Sequence, residues 1–345
     1  MTSNGAPALA RYAAAPGYAP DVGNKLAVLL MHGILNNDEQ DFAETGVRLL
    51  KSAFSSASGV DADKALVIRP APWGRVSQPY EDRLLKRLGG ERGKWFYDWL
   101  NRAADSIDAG SVTALAKAGL STLARTVPGG PVLHYPALRW ILDQYVGDMV
   151  AYQITPSGRE LYDGVHAVVA QTLSGLAAEA GAEAPLFVLA HSVGTVISSD
   201  FFYDRQRDAG LDGDTARAQA ATPLERGETL ASFCTMGSVI ALFTLRFSDD
   251  ELDRPVLVPD PRLAHYHPGV RGGWTNIYDP DDVFASALST LGECYAKAVV
   301  DERTSVGPPP LNATPLCHLG YWNDRAIMTS IGQAMAHAWR EQGRR

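Results

Sequence analysis

Apolar residues fall in short unbroken runs, separated by longer stretches with the spacing of helices. Lys25 to Met31 and Leu186 to Ala190 are almost wholly apolar. A strand covered on both faces reads this way, as a run and not as an alternation. Ala65 to Arg69, Thr229 to Thr235 and Trp274 to Tyr278 are further strand candidates, and Ala298 to Thr304 is a weaker last one. Between them lie helical patterns. Residues 41–53 place Phe42, Val47, Leu49, Leu50 and Phe54 on one face. Residues 158–182 do the same with Leu161, Val165, Val168, Val169, Leu173 and Leu176, and Arg325 to Arg340 forms a final amphipathic stretch. Strands alternating with helices imply a parallel sheet joined by right-handed crossovers. Residues 204–228 are polar and read as a surface loop, and 252–273 as an irregular Pro-rich excursion.

Residues 73–152 fit no sheet. They hold helical stretches at 80–88, 95–107, 112–123 and 137–151, broken by Gly89-Gly90 and by Pro128-Gly129-Gly130-Pro131, and rich in aromatics such as Trp73, Trp95, Phe96, Trp99 and Trp140. The division expected is a loose N-terminal arm (1–24), a core from 25–72 and 153–345, and a helical insertion (73–152). Val112 to Val127 is apolar on more than one face, with only Lys117 and Arg125 charged. It reads either as a helix packed within the insertion or as a lid that meets acyl chains.

Composition narrows the class. The chain has 345 residues, 46% hydrophobic and 20% charged, and a net charge of −8. These are the proportions of a water-soluble globular protein, without the basic surface that binds nucleic acid. Cys234, Cys294 and Cys317 are too few and too scattered for a disulfide framework or a zinc site. No apolar run is long enough for a membrane span, and the N-terminus lacks the basic and apolar regions of a signal peptide. The default expectation is a cytoplasmic protein, its oligomeric state open.

The candidate chemistry begins at Ala190-His191-Ser192-Val193-Gly194. A buried strand precedes it and a helical pattern, Val196 to Tyr203, follows. A sharp strand-to-helix turn lifts the middle residue out of the sheet, and small residues on both sides keep the turn free of clashes. This is the G-x-S-x-G nucleophile elbow, with Ala190 in the first Gly position. On these residues the chain resembles the α/β-hydrolase family, most closely its lipases and esterases. The resemblance implies an α/β fold with a mostly parallel central sheet flanked by helices and a helical cap, here residues 73–152.

It also implies where the other site residues lie. His32-Gly33-Ile34 follows the first strand, where such enzymes shape an oxyanion hole. Gly33 would let the Ile34 N–H aim at the oxyanion, with the Val193 N–H as second donor. His32 is read as structural. The acid of the family sits on a loop after a late strand, and Asp279-Pro280-Asp281-Asp282-Val283-Phe284 offers three. Asp282, followed by two apolar residues, leads, Asp281 is the runner-up, and Asp279 before Pro280 shapes the turn. The base sits ahead of the last helix, a slot filled by His318; His265 and His267 precede the acid and His337 lies inside the helix. The order Ser192, Asp282, His318 is that of the family. Ser238, in the Gly237-Ser238 turn, is either a polar pocket residue or merely part of that turn.

The resemblance thus implies a serine esterase or lipase acting on a small-molecule or lipid ester. It implies no cofactor and no metal, and at most a transient lipid contact through the cap. A thioesterase or acyltransferase would use the same triad, and a binding protein on a dead scaffold would keep the fold without the chemistry.

Overall fold

The computed structural model describes residues 24–33, 43–77, 79, 152, 159–208, 221–248, 254–309, 312 and 315–342. Most of the N-terminal arm, Ile34, the four helical stretches of the insertion and the lid candidate 112–127 lie outside the described residues. The chain divides into two compact units, one of residues 1–33, 43–71 and 167–345, the other of 34–42 and 72–166.

The first unit is an α/β layer structure. Six strands form one sheet: β1 (Leu26–Met31), β2 (Leu66–Pro70), β3 (Leu186–His191), β4 (Leu230–Met236), β5 (Gly273–Tyr278) and β6 (Val299–Arg303). Their order is β2-β1-β3-β4-β5-β6, and every neighbouring pair is parallel. All six residues of β1 and of β3 are buried, which explains their unbroken apolar sequence. Edge strand β2 is only partly covered, and β6 carries Asp301, Glu302 and Arg303.

Among the described residues, four long helices accompany the sheet: α1 (Glu44–Ser58), α2 (Arg159–Ala180), α3 (Val193–Asp208) and α4 (Arg325–Glu341). α1 and α4 touch at backbone distance. A Cβ on Gly332 would lie 2.4 Å from the Leu50 carbonyl oxygen, so only glycine allows the approach. Phe54 and Trp339 meet edge-on across this seam, with ring centroids 6.0 Å apart. Asp324 caps α4 by accepting the Ala326 and Ile327 N–H groups. Among the described residues, no helix is long and apolar enough to cross a membrane.

One stretch differs from the sequence expectation. α3 runs on to Asp208, through residues expected to form a loop; Asp204, Arg205 and Gln206 are half-buried and Arg207 is exposed, as polar residues on the outer side of a helix are. Residues 221–228 of that stretch are partly interior, since Leu224 is fully buried and Glu228 is buried as well. The segment ahead of α4 forms two short 3₁₀ turns, Pro315–Leu319 and Tyr321–Asn323.

The strand order has one consequence for function. β1 leads outward to β2, and the chain then returns to lay β3 on the other side of β1. The strand order therefore reverses at β1 and β3, which makes the carboxyl ends of these two strands the topological switch point of the sheet. Ligands of open parallel sheets gather at such a switch point.

Candidate active site

Register places the first two candidate segments side by side. Met31 pairs with Ala190, so Gly33 and Ser192 emerge next to each other at the switch point. A Cβ on Gly33 would come within 2.7 Å of the Ser192 Cβ, and only a glycine backbone can lie this close.

Ser192 has φ of 55°, the only positive value for a non-glycine residue among the described residues. An L-residue in the left-handed region costs roughly 1–2 kcal/mol. The turn is fixed from both sides. The Ser192 N–H donates to the Met236 carbonyl at 3.1 Å, and its own carbonyl accepts from the Thr195 N–H and hydroxyl. Gly194 sits against β1, where a Cβ would lie 2.4 Å from the His32 carbonyl oxygen. This explains the second small residue of the motif. Ala190 keeps a side chain and is fully buried, so the first small position needs no glycine here. Val193 opens α3. Amides in the first turn of a helix have no intrahelical acceptor, and the helix dipole makes that end attractive to anions.

Three of the candidate side chains meet in series. The Ser192 hydroxyl lies 3.0 Å from His318 Nε2, and His318 Nδ1 lies 2.7 Å from Asp282 Oδ2. All three residues are at most 2% exposed. An ionised carboxylate only accepts, so Nδ1 carries the proton and Nε2 is left to accept from the Ser192 O–H. Burial pushes the Asp282 carboxyl up. The hydrogen bond from His318 and its charge, with bonds from the Phe284 N–H and Tyr321, outweigh burial and hold it below the usual carboxylate range.

The other acids of the loop do different work. Asp279 accepts from the Asp281 N–H at 2.9 Å and the Val306 N–H at 2.6 Å, which makes it the turn former. Asp281 is exposed. Ser238 is buried and committed to its own turn, receiving the Ile240 N–H and pairing with the Thr195 hydroxyl. Its neighbour Gly237, at φ of 55°, passes so close to Tyr321 that a Cβ would lie 2.8 Å from the ring. Among the described residues, no group of three or more His, Cys, Asp or Glu side chains is placed to hold a metal ion.

Tyr321 is a site residue that sequence reasoning missed. Its hydroxyl donates to Asp282 Oδ2 at 3.1 Å and accepts from the Asp279 N–H at 2.9 Å, so it braces the acid against its own loop. Burial and the Asp282 charge push its ionisation far up, and it stays a donor at any working pH. The only signal in the chain was an aromatic residue just after His318. Tyr321→Phe should strand the Asp279 N–H and remove one donor from Asp282. The expected cost is roughly 1–3 kcal/mol of stability, read as a lower melting temperature.

His32 and His191 are buried neighbours of the series. Burial pushes the ionisation of His32 from 6.5 down to about 4, and burial together with nearby His318 pushes that of His191 to about 3. In the unfolded chain both take up a proton near pH 6.5. As pH falls below that value, the unfolded state binds protons that the folded state refuses, and stability drops. Their contribution is complete above pH 6.5 and is lost toward pH 4 for His32 and pH 3 for His191. Melting curves between pH 7 and pH 4 should show a steady fall in Tm, and His32→Gln, which does not titrate, should show a shallower one.

No protein-family model matches the chain, and no curated protein matches it. What is established is the class: an α/β protein with a six-stranded, all-parallel sheet and a buried Ser-His-Asp series at the carboxyl ends of its strands.

Proposed function

We propose that this chain is a serine hydrolase of the α/β-hydrolase type that cleaves carboxylic esters through an acyl-enzyme. The observation that carries this reading is the bonded series Asp282–His318–Ser192, with Ser192 held at positive φ on a strand-to-helix turn. A serine in a merely structural turn would need neither the strain nor a buried imidazole aimed at its hydroxyl.

In this reading, His318 Nε2 takes the Ser192 proton as Oγ attacks the ester carbonyl. Asp282 holds the ring in the tautomer that leaves Nε2 free to accept, and stabilises the imidazolium that forms. The Val193 N–H group, at the start of α3, binds the oxyanion, worth about 3 kcal/mol of barrier height. His318 then gives its proton to the leaving alcohol. Water, deprotonated by the same nitrogen, cleaves the acyl-enzyme and restores Ser192.

The test is covalent and kinetic. A fluorophosphonate probe should label the purified protein on Ser192, and p-nitrophenyl esters from acetate to decanoate should be turned over. An unlabelled protein with no turnover above that of Ser192→Ala would sink the proposal.

A further inference from the structure

His191 immediately precedes Ser192, and its ring has no part in the proton relay. It is nonetheless buried and hydrogen-bonded. Its Nε2 stands 2.8 Å from the main-chain carbonyl oxygen of His318. A carbonyl only accepts, so His191 donates, and the single proton of its neutral ring sits on Nε2. The rings of His318, Tyr321 and Trp322 surround it, with centroids at 4.8, 5.5 and 6.5 Å. Two glycines make room for it. A Cβ on Gly33 would lie 3.3 Å from His191 Nδ1, and one on Gly237 would lie 3.2 Å from Nε2.

The segment that carries His318 needs such a tie. It is a short 3₁₀ turn, outside the sheet ladder that fixes the Ser192 turn. The His191 bond spans 127 residues and joins this segment to the residue covalently next to the nucleophile. We propose that His191 is a positioning residue for His318: by donating Nε2–H to the His318 carbonyl, it holds the base-bearing segment against the Ser192 turn and sets the hydroxyl-to-imidazole distance. The proposal rests on the reading of Ser192 as nucleophile and His318 as base. Neutrality of the His191 ring suits the role, because a second cation would oppose the imidazolium that His318 becomes. Burial, with His318 adding to it, keeps the ring uncharged. The other titratable groups around it are Asp282, His32 and Tyr321.

Three substitutions separate the bond from the bulk of the ring. His191→Gln carries an amide N–H about as far out as Nε2, His191→Asn falls short of the carbonyl, and His191→Leu has no donor. Each is assayed for kcat and KM on p-nitrophenyl butyrate. Each is also examined by proton NMR for the low-field His318 Nδ1–H resonance, assigned by its loss in His318→Ala. A misplacement near 1 Å costs on the order of 10²-fold in rate. His191→Asn and His191→Leu should lose about that much kcat, with KM little changed and the resonance shifted or lost. His191→Gln should recover most of both. Equal behaviour of the Gln and Asn variants overturns the proposal, and so does wild-type kcat with an unmoved resonance in His191→Leu. Should the Leu variant fail to fold, the Gln–Asn pair still decides. The resonance needs no turnover. A wild type that neither labels nor cleaves esters ends the esterase reading, while the resonance still reports whether His191 holds His318.

Discussion

Ser192→Ala should abolish ester turnover, lowering kcat by about 10⁶-fold, the loss found when a serine hydrolase is stripped of its nucleophile. The protein should stay folded, since one buried oxygen is removed and the bonds of the Ser192 N–H and carbonyl remain. Ser192→Gly should be equally inactive yet more stable than Ser192→Ala. Both lack the hydroxyl, and they differ only in the cost of φ at 55°. Alanine pays roughly 1–2 kcal/mol there and glycine nothing, less the roughly 0.5–1 kcal/mol by which glycine loosens the unfolded chain. The difference left is on the order of 1 kcal/mol, a rise in Tm of roughly 2–4 °C for a domain of this size. Measuring kcat and Tm for the pair tests both claims. An alanine variant as stable as the glycine variant would mean that the turn stores no strain.

Asp282→Asn should lower kcat by about 10⁴-fold. The amide can still accept the Phe284 N–H through its oxygen, so the loop keeps its shape. Its NH₂ group, however, would face His318 Nδ1 and turn the ring to the tautomer with its proton on Nε2, which cannot accept from Ser192. Asp281→Asn should change kcat by less than about threefold, because exposed substitutions away from such features are worth about 0.5 kcal/mol or less. Steady-state kinetics on one ester rank the two. A larger loss for Asp281→Asn would move the acid one residue upstream and leave the Asp282 bond as scaffolding.

Much of this arrangement was legible in the chain. The fully apolar runs at 25–31 and 186–190 read as strands of a parallel sheet because both faces of β1 and β3 are covered. Ser192, Asp282 and His318 stood out because each follows a strand, or precedes the last helix, at the slot where such chemistry sits. The strand order was not legible. Nothing in the run Leu26 to Met31 says that it lies between two strands, one nearby in the chain and one far downstream. The supporting residues were not legible either. Tyr321 and His191 act through partners 39 and 127 residues away, and a hydroxyl or ring nitrogen leaves no periodicity. The polar end of α3 misled for a different reason. Polarity marks exposure, and an exposed helix face is as polar as a loop.

The position of β1 between β2 and β3 also governs when the site can come into being. β1 and β2 can pair early, but the far edge of β1 waits for β3, across the whole separation from residue 32 to residue 185. The Ser192 hydroxyl then waits for the His318 ring, 126 residues further on in a turn reached only after the last strand. Closing such long separations is slow, whereas Asp282 and His318, on the connections after β5 and β6, are only 36 residues apart. Competence should therefore be the last property recovered on refolding. After dilution from denaturant, far-ultraviolet circular dichroism should return first, and reactivity of Ser192 toward fluorophosphonate should trail behind it.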